Sequence, residues 1–127
     1  MERYLIDTNA VSDYLSASLP VKGIAFMDTA IDAVPNISII TQIELLCWKT
    51  DLLTERNVQS FNNDSTILDI TQDVISRCVL IRRSKKIKLP DAIIAATSLV
   101  YNLILISRNT SDFKKIDGLQ VIDPYSL

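Results

Sequence analysis

Four acidic residues in this chain stand where carboxylates can do chemistry. Asp7 directly follows the apolar run Tyr4-Leu5-Ile6 and opens "DTN"; Glu44 lies in "TQIEL". Asp91 follows Pro90 in "LPDAIIAATSLVYNLILIS", and Asp112 lies in "SRNTSDF", just past the run Leu103 to Ile106. Asp91 is the sharpest case: it is the single charged side chain between residues 89 and 107, and Arg108 ends the run. A carboxylate at the mouth of such a segment is costly to desolvate unless something holds it there.

Each acid, taken alone, has a structural explanation. Asp7 can cap the helix beginning near Thr8. Thr41-Gln42-Ile43-Glu44 has the spacing of a capping box. Asp91 after Pro90 suits the first turn of a helix, where the dipole favours an acid, and Asn109 to Asp112 repeats the spacing of a cap. Together the acids suggest more. Neighbouring strands lie about 4.8 Å apart, so acids at adjacent strand ends converge. Two carboxylates at about 4 Å repel by roughly 4 kcal/mol at an effective dielectric near 20, which a cation would relieve.

The chain has no histidine, and its two cysteines, Cys47 and Cys78, match no metal-ligand spacing. Set among apolar residues, both read as buried free thiols. Ser-His-Asp and Cys-His sites and histidine-ligated zinc are therefore excluded. What remains is an all-oxygen ligand set, which suits Mg²⁺ or Mn²⁺.

The elements that must position these acids follow from the apolar pattern. Strand-length runs occur at Tyr4 to Ile6, Ile37 to Ile40, Thr66 to Ile70, Leu103 to Ile106 and Gln120 to Ile122. Helix-length segments separate them. Residues 21–33 bring Ile24, Met27 and Ile31 to one face, and 71–86 group Val74, Ile75, Cys78 and Val79. Residues 91–101 carry Ala92, Ala95 and Ala96, small enough to pack closely on a sheet. Alternating strands and helices predict an α/β fold with a parallel sheet covered on both faces. Ligands in such folds bind outside the carboxyl ends of the strands, where the acids lie.

A chain of 127 residues with 48% hydrophobic and 22% charged side chains is expected to form one globular domain, 1–127. The uncharged run 92–107 is shorter than the roughly 20 residues that span a bilayer, and no basic segment followed by an apolar one opens the sequence. A soluble, cytoplasmic protein without a membrane partner is the expectation. The net charge of −2 argues weakly against nucleic acid. Setting the four site acids aside leaves 11 acidic against 13 basic side chains, which removes that objection. "RRSKKIK", residues 82–88, reads either as a solvated helix C-terminus or as a rim that tracks phosphates. Arg108, beside the site residues, is the sharper candidate for a phosphate contact.

The blocks "YLIDTNAVSDYL", "TQIEL", "LPDAIIAATSL" and "LILISRNTSDF" resemble, in order and spacing, the four signature blocks of PIN-domain ribonucleases. The resemblance is greatest to the small VapC-like toxins of bacterial toxin–antitoxin pairs and covers residues 3–113. It implies a three-layer α/β/α fold around a mainly parallel sheet of about five strands. It also implies a Mg²⁺- or Mn²⁺-dependent endoribonuclease with Asp7, Glu44, Asp91 and Asp112 as catalytic, metal-binding acids. Thr8, Asn9, Ser107 and Asn109 match the polar positions around the family's site, and with Arg108 they are the expected substrate contacts. Position 107 is often Thr in the family and position 109 is Asp in some members; here they are Ser and Asn, so the fourth charge falls to Asp112. An RNA substrate, a separate antitoxin chain and a homodimer are the implied partners. Trp48, Leu52, Leu53 and Phe61 are candidate interface residues, with ordinary core as the other reading.

Two other functions compete. A catalytically silent PIN-like binding module would use the acids only as caps. A receiver-type phosphoacceptor domain would need paired acids after the first strand and a late Lys-Pro; Asp69 could serve as acceptor, but "LIDTN" holds one acid and no Lys-Pro occurs.

Overall fold

The computed structural model describes residues 3–32 and 34–127. The chain runs β1 (Tyr4–Ile6), α1 (Thr8–Leu15), α2 (Val21–Asp32), β2 (Asn36–Ser38), α3 (Ile39–Cys47), α4 (Leu52–Asp64) and β3 (Thr66–Leu68). It continues through α5 (Gln72–Ser84), α6 (Leu89–Val100), β4 (Ile104–Ile106), α7 (Thr110–Phe113) and β5 (Val121–Ile122). The expected helix 21–33 is α2; Ala33 lies outside the described residues.

The five strands form one sheet in the order β3-β2-β1-β4-β5, and every pairing is parallel. Leu5 pairs with Leu105 and Ile6 with Ile106. Alternation along each strand sends these two pairs to opposite faces. Leu5 and Leu105 join Val74, Cys78 and Ile81 of α5, Ala92, Ala95 and Ala96 of α6, and Phe113 of α7. Ile6, Ile37 and Ile106 join Ala10 and Val11 of α1, Met27 of α2, Leu45 of α3, and Val58 and Phe61 of α4. The result is the expected three-layer α/β/α arrangement. From β1 the chain fills one half of the sheet through β2 and β3, then crosses to β4 and β5. The switch in strand order therefore falls between β1 and β4, whose carboxyl ends carry Asp7 and Ser107.

Several local readings are corrected. The run 37–40 is strand only to Ser38, because Ser38 caps α3 by accepting the Thr41 N–H at 3.1 Å, and Ile39 and Ile40 are already helical. On α5, Val74 and Cys78 are buried but Ile75 and Val79 are exposed; Ile81 completes the inner stripe. Cys78 is buried as expected and Cys47 is exposed, since it ends α3 on the side turned away from Leu45. Of the candidate interface residues, Phe61 is core, Trp48 is half-buried, and Leu52 and Leu53 stand exposed at the start of α4.

A carboxylate cluster at the sheet switch point

Asp7 is the buried centre of the site. It follows β1, and its backbone N–H still donates to Ile106 O at 2.9 Å, extending the β1–β4 pairing by one residue. Its Oδ1 caps α1 by accepting the Thr8 N–H at 2.8 Å. Its Oδ2 accepts the Ser107 hydroxyl at 2.7 Å and the Asn9 amide at 3.3 Å. Only 4% of Asp7 is exposed. Burial pushes its carboxyl up to about 6, against the bonds from Ser107 and Thr8, and the nearby charges of Asp91 and Glu44 push in the same direction.

Ser107 is saturated. Its hydroxyl donates to Asp7 and receives the Asn109 backbone N–H at 3.0 Å and the Asn9 amide at 3.5 Å, which uses its one donor and two acceptor positions. Asn9 closes the loop, since its Oδ1 accepts the Arg108 N–H at 3.1 Å. The start of α1 is thus stitched to the end of β4.

Glu44 enters from α3 and is exposed. The capping box that the spacing of Thr41 to Glu44 allows is absent, because Ser38 rather than Thr41 caps this helix. Thr8 Oγ1 instead donates to Glu44 Oε1 at 2.6 Å and lies 3.0 Å from the buried Thr41 Oγ1. Glu44 is therefore held by the segment that carries Asp7, and capping does not explain its position.

Asp91 is the third residue of α6, whose N-cap Lys88 makes no side-chain capping bond. Burial raises its carboxyl above the ordinary range, Asp112 and Glu44 add to the shift, and Lys88 opposes it. Asp91 thus interacts with all three other acids: it acts on Asp7, as Glu44 also does, and is acted on by Asp112 and Glu44. Asp112 lies in the short α7. The Asn109 amide donates to Asp112 Oδ2 at 3.1 Å and reaches Asp91 Oδ2 at 3.5 Å, while Lys115 pairs with Asp112 at 3.6 Å. Asn109 is the α7 N-cap by position, yet its side chain bonds no backbone there.

All nine expected site residues therefore gather at this edge. Four of the expected substrate contacts, Thr8, Asn9, Ser107 and Asn109, direct polar atoms at the acids themselves. Arg108 is more than half exposed and is held by Asp13, its Nη1 3.2 Å from Asp13 Oδ2. The sequence pattern singles out neither Asp13 nor Tyr125, and it marks Thr41 only as a possible cap. A signal existed for Asp13, which stands four residues after Asn9 and so on the same face of α1. Of the basic run, Arg82 Nε donates to Ile87 O at 3.2 Å and Lys88 faces Asp91.

Among the described residues, no three acids stand close enough as placed to form a finished ion-binding cluster; each is turned to a donor. The donor set nevertheless fits a hard divalent cation. It consists of oxygen ligands only, and the Asp7 carboxyl, raised chiefly by its burial, is raised further by two neighbours of like charge.

The family profile described as PIN domain matches residues 4–119. A chain of the toxin–antitoxin complex from Klebsiella pneumoniae is 35% identical, with a TM-score of 0.79 and coverage of 98% of this chain and 99% of that one. FitAcB from Neisseria gonorrhoeae gives 27% identity, a TM-score of 0.81 and the same coverage of both chains. DNA-bound VapBC from Salmonella typhimurium gives 23% identity and a TM-score of 0.79, again over 98% and 99%, and shares the fold. No curated protein matches the chain.

Proposed function

The chain belongs to the PIN-domain family, and from that premise we propose that it is a Mg²⁺- or Mn²⁺-dependent endoribonuclease and the toxin of a toxin–antitoxin pair. The observation that carries the activity is Asp7: a carboxylate 4% exposed, at the sheet's switch point, raised to about 6 with Asp91 and Glu44 contributing. A structural cap alone needs no such company. The 35% identity to a chain of a toxin–antitoxin complex over nearly its whole length supports the biological role. The antitoxin is a separate protein.

Asp7, Glu44, Asp91 and Asp112 would hold the ion. When bound, the ion supplies positive charge to a phosphate oxygen and makes water at the site more acidic. The chain's own residues prepare that site. Ser107 and Asn9 fix the Asp7 carboxylate, Thr8 fixes Glu44, and the Asn109 amide lies between Asp91 and Asp112. Oriented carboxylates need little rearrangement when they take up charge, which is where preorganisation favours catalysis. Arg108 and Lys88 supply cations for the RNA backbone at the rim.

No helix among the described residues is long and apolar enough to cross a membrane, and we take the site of action to be the cytoplasm, where RNA is. We assign the exposed Leu52 and Leu53, with Ile43 and Leu46 of α3, to contact with a second copy; light scattering of the purified chain tests it. The role itself is tested by expressing the chain alone in bacteria while following growth and RNA integrity. Arrested growth with fragmented RNA, reversed by Asp91→Asn, is the expected result; normal growth with intact RNA contradicts it.

A further inference from the structure

Arg108 adjoins Ser107 in the chain, and its side chain is fixed from two sides although more than half exposed. Nη1 donates to Asp13 Oδ2 at 3.2 Å, and the guanidinium carbon lies 5.6 Å from the centre of the Tyr125 ring. The Tyr125 hydroxyl donates to that same Asp13 oxygen at 2.5 Å. Asp13 thus ties the cation and the ring together.

The tail that presents Tyr125 is itself seated. Asp123 Oδ1 accepts the Tyr125 N–H at 2.9 Å, and Asp123 O accepts the Ser126 N–H at 3.1 Å. Pro124 comes so close to α2 that a Cβ at Gly23 would lie 2.2 Å from its carbonyl oxygen. One of the chain's two glycines therefore admits this tail.

An exposed ion pair contributes little to stability, so a second partner for one exposed arginine, tied to the first, calls for another explanation. We propose that Asp13 and Tyr125 are positioning residues that hold Arg108 as a fixed phosphate contact for single-stranded RNA beside the acids. The proposal rests on the nuclease reading. The Arg108 backbone adjoins Ser107, the partner of Asp7, and Asp13 takes one donor of the guanidinium while leaving the others for a phosphate. The ring supports one face of the guanidinium, as cation–π geometry favours. Because Arg108 is ordered before RNA arrives, less conformational freedom is lost on binding.

The test uses a fluorescein-labelled single-stranded RNA of mixed sequence, in cleavage with Mg²⁺ and in binding by anisotropy with EDTA. Arg108→Ala should raise KM and Kd about tenfold, a loss equivalent to about 1.4 kcal/mol, and reduce the salt dependence of binding by about one phosphate contact. Tyr125→Ala and Asp13→Asn should raise KM several-fold, and neither should add to the loss in the Arg108→Ala background. Tyr125→Phe keeps the ring and the seat of the tail, and should show a smaller rise in KM. Full additivity of Tyr125→Ala with Arg108→Ala, in a parent that cleaves, overturns the clamp and leaves the nuclease reading intact. A parent that binds RNA with the predicted non-additivity but never cleaves it upholds the clamp and overturns the nuclease reading. A parent that neither binds nor cleaves overturns both.

Discussion

Ser107 donates its hydroxyl hydrogen to Asp7 Oδ2 at 2.7 Å across 100 positions of chain, from the end of β4 to the end of β1. This bond joins the two strand ends that flank the switch in sheet order, and it lowers the pKa of a carboxylate that burial raises.

Removing that bond has a signed consequence. Ser107→Ala should move the Asp7 titration further upward in the metal-free protein. It should also cost about 1–3 kcal/mol, because Ser107 is fully buried and its partners lose their match. Carboxyl-carbon NMR titration and thermal melts read both effects. An unchanged Asp7 titration would contradict the assignment of this bond.

The raised Asp7 also predicts how metal-free stability depends on pH. Its folded pKa of about 6 exceeds the reference 3.8, so the folded chain binds more protons between those values. Stability is full below the lower value and falls as pH rises to the higher one, by about 3 kcal/mol at most. Asp91 acts in the same direction. Asp7→Asn keeps an oxygen to cap α1, so in EDTA it should melt higher than the parent at pH 7 and no higher at pH 4. A variant less stable than the parent at pH 7 would mean that capping is the main role of Asp7.

The sheet and its acids were legible because both depend on one-dimensional patterns: apolar runs of strand length, and acids just past them. What the sequence concealed depended on three-dimensional competition. Thr41 to Glu44 has capping-box spacing, but Ser38 reaches the Thr41 N–H first and shortens the strand. Helix α4 buries only Val58, Phe61 and Asn62, too thin a stripe to announce itself. The contact of Tyr125 with Asp13 spans 112 positions, beyond anything periodicity reports.

The missing capping box sharpens the prediction for Glu44. Glu44→Gln should cost well under 1 kcal/mol of stability, since the side chain is exposed and caps nothing. Its RNA cleavage should fall steeply and recover in part at high Mg²⁺, as expected of a lost ligand. Asp112→Asn should behave likewise but more mildly, because the Asn109 amide and Lys115 remain beside it. Parent-like cleavage by Asp112→Asn at every Mg²⁺ concentration would reduce the site to three acids.

Metal should stabilise the fold by mass action, by about 2.7 kcal/mol at a hundred times Kd. Titrating Mg²⁺ or Mn²⁺ into the EDTA-treated parent should raise Tm, with a much smaller rise for Asp91→Asn. Equal rises in the two proteins would place the ion elsewhere.

The central claim is that Asp91 and its neighbours form a metal-dependent nuclease site, and single-turnover RNA cleavage tests it most directly. The parent with Mg²⁺ should cleave, while the parent in EDTA and a folded Asp91→Asn with Mg²⁺ should leave the RNA intact. Cleavage by Asp91→Asn at the parent's rate, or undiminished cleavage in excess EDTA, would contradict the account.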